Sequence, residues 1–196
     1  NARSISVYGG FTSKAYKGYS DGRRISLENG DIGVIESENR SHVDQVIAAK
    51  TIDTAKVSTP RDYISDNIYG HFPVEAERGN LKIISGRFLN DRDLDQKRKV
   101  IVLHEQNART LFGDDVEAVG QTVTLLGVAW QVVGVYAHDW EKSTYVPFTT
   151  AMFLSGNDDN VSDMTVRIRN VENEADGEAV ENEIRATLAR AHDFDP

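Results

Sequence analysis

Asp91, Asp93 and Asp95 stand at alternate positions, the spacing that opens a calcium-binding loop. Such a loop then needs Gly at its sixth position and a bidentate Glu at its twelfth, where this chain has Gln96 and Val102. The stretch 86–99 therefore reads as a solvated acidic loop. A second cluster, His138-Asp139-Trp140-Glu141, joins imidazole to carboxylates after a strand-like run. On extended backbone His138 and Asp139 point to opposite sides, so they cannot share an ion. His42, His71, His104 and His192 lack the i, i+4 pairing that places two imidazoles on one helix face. Neither a metal nor a cofactor is expected. The chain has no Gly-x-Ser-x-Gly elbow and no glycine-rich phosphate loop. It has no cysteine, which removes thiol catalysis, zinc–cysteine sites and disulfides. Catalysis is not expected.

The feature that stands out is a contact surface. Residues 11–24 carry Lys14, Lys17, Arg23 and Arg24 against Asp21, a local excess of three positive charges, with Phe11, Tyr16 and Tyr19 between them. Tyr16, Tyr19, Arg23 and Arg24 suit lipid headgroups or a protein partner. The plainer alternative is a surface loop whose tyrosines pack on their own domain. Trp140 and Tyr145, at the end of a hairpin, form a second candidate patch, with core packing the alternative for Tyr145.

The elements that must carry these residues follow from periodicity. Residues 4–8 alternate as a strand, and a helix follows with Asn29 as N-cap and Ile32 and Ile35 inward. Residues 42–59 and 62–72 read as strands closed by Pro60 and Pro73. A helical turn is expected at 73–77 and an extended segment at 81–84. The densest apolar patterning runs from 99 to 148. It holds a strand at 100–103, a helix with Ala108, Leu111 and Phe112 ended by Gly113, and a hairpin over 121–136 around Gly127. Beyond the turn, Val128, Trp130 and Val132 face one way and Ala129, Val133 and Val135 the other, a strand covered on both sides. A bilayer-spanning helix needs roughly 20 apolar residues, more than this run supplies. After a strand at 144–148, Thr149 caps a short helix, 161–169 alternates as a strand, and a last helix aligns Val180, Ile184, Leu188 and Ala191. Acids crowd its start, while Arg185, Arg190 and His192 sit toward its end, matching the helix dipole.

With 196 residues, 39% hydrophobic and 27% charged, the chain is globular and has room for one good-sized core or two small ones. A formal net charge of -9 argues against a nucleic-acid surface. Asn1-Ala2-Arg3 leads straight into a strand without an initiator Met, and the closing strand–helix unit lacks a returning strand. Both predict a segment of a longer protein. No stretch reads as a signal peptide or transmembrane segment.

Several motifs then fall into a familiar order: Gly86-Arg87-Phe88 with Asn90, Val100 to Leu103, Leu111-Phe112-Gly113, Val119-Gly120-Gln121-Thr122-Val123, Gly127-Val128 and Val132-Val133-Gly134-Val135. With Glu183-Ile184-Arg185, Leu188-Ala189-Arg190, Phe194-Asp195-Pro196 and the early Thr12-Ser13, Tyr16-Lys17-Gly18 and Gly22-Arg23-Arg24, they resemble the extracytoplasmic core domain of MacB-like ABC-transporter permeases. The family's hairpin turn usually has Asn before Gly, where Leu126 stands here.

The resemblance implies an α+β fold with mixed sheets and two subdomains. One is membrane-proximal, from residues 1–72 and 158–196; the other is a smaller β-rich α/β subdomain, 73–157, holding the hairpin. It implies a periplasmic place at the bacterial inner membrane and a non-catalytic role, coupling transmembrane-helix motion to export. The implied partners are the permease's own transmembrane helices, a cytoplasmic ATPase module, a periplasmic adaptor, an outer-membrane channel and a second copy in the intact permease. The competing expectation is a periplasmic domain that itself holds a lipoprotein, peptide or hydrophobic cargo.

Overall fold

The computed structural model describes residues 3–11, 14 and 16–196. The Thr12-Ser13 pair of the resemblance lies outside the described residues, as do Asn1, Ala2 and Ala15. In chain order the elements are β1 (Arg3–Val7), β2 (Gly10–Phe11), β3 (Arg24–Ile25), α1 (Asn29–Glu38), β4 (Val43–Ser58), β5 (Tyr63–His71), α2 (Glu75–Arg78), β6 (Lys82–Gly86) and α3 (Asp91–Asp95). There follow β7 (Val100–His104), α4 (Glu105–Phe112), β8 (Thr122–Leu125), β9 (Val128–Ala137), β10 (Thr144–Pro147), α5 (Phe148–Leu154), β11 (Asp163–Ile168) and α6 (Glu174–His192). They form two compact units, Asn1–Ala48 with Asp159–Pro196, and Ala49–Asp158. The front boundary expected at residue 72 thus falls within β4. The second half of β4 and all of β5 belong to the second unit because they pair with each other, and β5 then pairs with β10.

In the first unit β1 runs antiparallel to β11, with Ile5 opposite Val166, and β11 lies next to β4. Helix α1 packs against α6. The first turn of α6 is held by Asn173, whose side chain accepts from the Asp176 N–H at 2.9 Å. Its buried stripe is Val180, Ile184, Thr187, Leu188 and Ala189. Four residues of helix overshoot a full turn by about 40°, which carries the stripe on to His192 and leaves Ala191 exposed, against expectation. The N-cap of α1 is Glu28 and not Asn29. The Asn29 N–H is already committed to the Asp159 carbonyl at 2.8 Å, and the Glu28 N–H donates to the Asp31 carboxylate at 2.8 Å.

In the second unit the pairing runs in a ring. β4 is antiparallel to β5, β5 parallel to β10, β10 antiparallel to β7, β7 parallel to β9 and β9 antiparallel to β8, which returns to β4 at Val57 and Ser58. β6 lies antiparallel along the far half of β9. One apolar cluster joins Val57, Ile68, Ile101, Leu103, Trp130 and Val146 to Ala108 and Leu111 of α4. A second holds Leu81, Phe88, Val102, Val133, Tyr136 and Tyr145. β9 is covered on both sides only in its second half, since Ala129 and Gln131 are exposed. Where the sequence left the hairpin turn open, Leu126 and Gly127 take φ of 52° and 71°, the two positive values that a tight two-residue turn between right-twisted strands demands. Gly86 and Gly134 face each other across β6 and β9. A Cβ on Gly134 would lie 1.8 Å from the Arg87 carbonyl, so only glycine fits.

Two expectations fail on this unit. The supposed acidic loop contains α3, and Asp93 within it is fully buried. Asn90 and Asp93 form a reciprocal cap, with Asp93 N–H to Asn90 Oδ1 at 3.0 Å and Asn90 N–H to Asp93 Oδ2 at 2.9 Å. Thr149 does not cap α5, whose N-cap position is Pro147; its hydroxyl donates to the Leu94 carbonyl at 2.6 Å.

Candidate interaction surface

The basic–aromatic loop belongs to the first unit. Tyr16 and Tyr19 exchange backbone hydrogen bonds of 3.0 and 2.9 Å around Lys17 and Gly18, whose φ values are 47° and 85°. Tyr16 is half-buried and Tyr19 is exposed. The Arg23 guanidinium stacks 4.4 Å from the Tyr19 ring centroid and donates to the backbone carbonyls of His192 and, at 2.6 Å, Asp193. Those carbonyls end α6, where the chain turns through the left-handed Asp193 and a helix presents partial negative charge. Lys14 reaches Asp195 at 2.7 Å, which holds its ammonium above the usual lysine range, and Lys17 reaches Asp193 at 3.3 Å. With these two carboxylates included, the local excess falls from three positive charges to one. Of the four expected contact residues here, Arg23 braces the fold, while Tyr19 and Arg24 remain exposed.

The second candidate patch divides. Tyr145 is buried in the second unit, its ring near those of Tyr69, His71, Phe88 and Tyr136, and burial pushes its hydroxyl pKa up. It is core. Trp140 is exposed on the β9–β10 connection, its ring meeting that of His138 edge-on at 6.0 Å. His138 faces its own loop: Nδ1 accepts from the N–H groups of Trp140 at 3.3 Å and Glu141 at 2.9 Å. Among the described residues no group of three acidic or imidazole side chains could hold a metal.

Two polar clusters escaped the sequence reading. Buried Asp31 meets His192 Nε2 at 2.8 and 2.9 Å. Asp93 accepts from the Arg87 guanidinium at 2.7 and 3.2 Å, with Arg98 at 3.6 Å. Burial alone would raise the Asp93 pKa. The Arg87 hydrogen bonds, the Asn90 N–H and the two guanidinium charges outweigh it and hold this carboxyl below its ordinary range. Asp66, near Glu141 and accepting from the Thr144 hydroxyl at 3.0 Å, is pushed up by burial and by the Glu141 charge. The second unit also has an open groove of about 450 Å³ lined by Ile52, Thr54, Lys56 and Leu126 among others. The Asp31 and Asp93 clusters brace the helices they sit on.

No helix among the described residues is long and apolar enough to cross a membrane. The family described as MacB-like periplasmic core domain matches residues 2–187. The macrolide export ATP-binding/permease protein MacB of Aggregatibacter actinomycetemcomitans is 24% identical over 189 residues, 90% of this chain. The chain spans 29% of that relative's length. The fold is that of the periplasmic region of MacB from Actinobacillus actinomycetemcomitans, with a TM-score of 0.74 and 21% identity over 97% of this chain and 85% of that one. The extracellular domain of the noncanonic ABC-type transporter YknZ from Gram-positive bacteria gives 0.75 and 18% over 98% and 96%. These matches, and the mixed α/β fold described above, bear out the resemblance drawn from the motifs. The chain belongs to the MacB-like periplasmic core domain family, which places it on the periplasmic side of the inner membrane.

Proposed function

We propose that this domain is a non-catalytic lever, passing transmembrane-helix motion to partner proteins that export a periplasmic substrate, with ATP hydrolysed by a separate cytoplasmic module. The observation that carries the reading is the bracing of the first unit, which contains both β1 and α6. Asp31–His192, Asn39–Thr187 at 3.2 Å and Glu38–Arg190 at 2.6 Å tie α1 to α6, so a pull on either end meets a stiff body. In this reading that unit is the membrane-proximal one and the Ala49–Asp158 unit the distal one. A periplasmic adaptor, an outer-membrane channel and a second permease copy are the partners such a lever needs. Reading the parent gene tests the placement: one span upstream and three downstream support it, and a secreted polypeptide without hydrophobic anchors overturns it.

The second reading, a cargo-holding domain, draws on the groove beside Ile52 and Leu126. Its mixed lining, with Asp53 and Lys56 beside Ile52 and Leu126, favours it less than a closed apolar cleft would. Titration with a fluorescent apolar probe separates the two: no saturable binding agrees with the lever, and saturable binding abolished by Leu126→Asp supports cargo.

A further inference from the structure

The connection between β9 and β10 holds a side chain that packing does not explain. The Trp140 indole is 82% exposed, the most of any large hydrophobic residue described. A flexible loop would hide or average such a ring, but the backbone beneath it is fixed. Backbone N–H groups only donate, so His138 Nδ1, which receives those of Trp140 and Glu141, must be the unprotonated acceptor. One layer deeper the same logic fixes buried His104: the Gln106 N–H donates to its Nδ1 at 3.1 Å, so its Nε2–H donates to the His138 carbonyl at 3.0 Å. Beyond the tryptophan, Asn107 Nδ2 donates to the Lys142 carbonyl at 3.0 Å, the Ser143 N–H to Glu141 Oε1 at 2.8 Å, and the Tyr136 hydroxyl to the Ser143 carbonyl. The indole is thus presented on a scaffold that loses little freedom when something covers it.

Charge indicates what covers it. Asp139 and Glu141 flank Trp140 in the chain, and half-buried Asp66 accepts from the Thr144 hydroxyl at 3.0 Å, where the connection enters β10. Lys142 is the one cation of the connection. Such a margin repels anionic headgroups and attracts guanidinium or ammonium groups. We propose that the Trp140 loop is a preorganised anchor for a protein partner that offers an apolar pocket rimmed by arginine or lysine. Tryptophan suits this role, since a few buried aromatic side chains carry most of an interface's affinity and the charges around them steer encounter.

The proposal rests on the reading that the domain works with partner proteins, and it can fail separately. The experiment places a photo-crosslinking residue at Lys142 in the full-length protein in its native membrane, identifies the adduct by mass spectrometry, and titrates that protein, purified, against this chain. The expected result is one protein adduct that disappears with Trp140→Ala and persists with Trp140→Phe. In the titration Trp140→Ala weakens binding by about thirtyfold, and Asp139→Asn with Glu141→Gln weakens it at low salt more than at high salt. The melting temperature of Trp140→Ala stays within about 1 °C, because an exposed ring contributes little to the fold. Absence of any protein adduct, an adduct indifferent to Trp140→Ala, or Trp140-dependent flotation with phosphatidylglycerol vesicles would overturn the proposal. A parent gene without spans would sink the transporter reading and leave a Trp140-dependent adduct standing.

Discussion

Asp31 in the first turn of α1 and His192 in the last turn of α6, far apart in sequence, meet at 2.8 Å with both side chains nearly buried. Asp31 sits at the N-terminal end of α1, where the helix dipole favours a carboxylate, and His192 at the C-terminal end of α6. Asp31 also accepts the Glu28 N–H, so one carboxylate starts α1 and docks α6. His192→Ala leaves that carboxylate short of a donor and should cost about 2 kcal/mol in urea unfolding. Arg190→Ala, which breaks an exposed pair with Glu38, should cost well under 1 kcal/mol.

Asp93 sets an acid limit on stability. Its folded pKa lies below the unfolded value of about 3.9, so its contribution is complete above that value and is lost as pH falls through the folded one. Thermal melts of the native chain should therefore fall more steeply below about pH 4 than those of Asp93→Asn, which starts about 2 kcal/mol lower at neutral pH because a neutral amide replaces the buried carboxylate that accepts from Arg87 and the Asn90 N–H. Parallel acid limbs in the two proteins would contradict this. Asp66 acts in the opposite direction. Its pKa is raised in the fold, so ionising it as pH rises weakens the native state.

Leu126 holds a left-handed conformation that branched apolar residues avoid, and its side chain is half-exposed, so little packing offsets the strain. Leu126→Asn should raise stability by about 1 kcal/mol, read as an upward shift in melting temperature of a few degrees. Trp130, on the strand that follows, behaves oppositely. It is buried with its Nε1–H on the Leu125 carbonyl at 3.0 Å, and Trp130→Ala should cost about 3–5 kcal/mol.

Arg23 and Arg24 look interchangeable in the sequence and are not in the fold. Arg23→Ala removes the donor that closes the last carbonyls of α6 and should cost about 2 kcal/mol. Arg24→Ala should stay within about 0.5 kcal/mol of the native chain, so an effect of Arg24 on transport without one on stability would mark it as a contact residue.

Much of this was legible in the residues. Period-two alternation gave β11 and the hairpin, and the four-residue spacing of Val180, Ile184 and Leu188 gave α6. What escaped had no periodic signal. Helix α3 is too short to display an apolar face, and its one readable mark, Asn90 three residues before Asp93, is hidden in a run of charged residues that reads as a solvated loop. The boundary inside β4 leaves no trace because the strand runs unbroken through Ala48 and Ala49. The Asp31–His192 pair and the role of Arg23 depend on contacts that only the folded chain creates. Tyr145 lies in the strand-like run 144–148, where core packing is the alternative the sequence offers, and pairing with β5 and β7 buries it. Trp140 lies on the connection before that strand and stays exposed.

The most direct test of the lever is to measure ATP turnover and substrate export together in the full-length transporter carrying His192→Ala, at a temperature where the domain remains folded. The account predicts that ATP turnover continues while export drops, because the stroke is absorbed in a loosened α1–α6 brace. Unchanged export in that variant would contradict it.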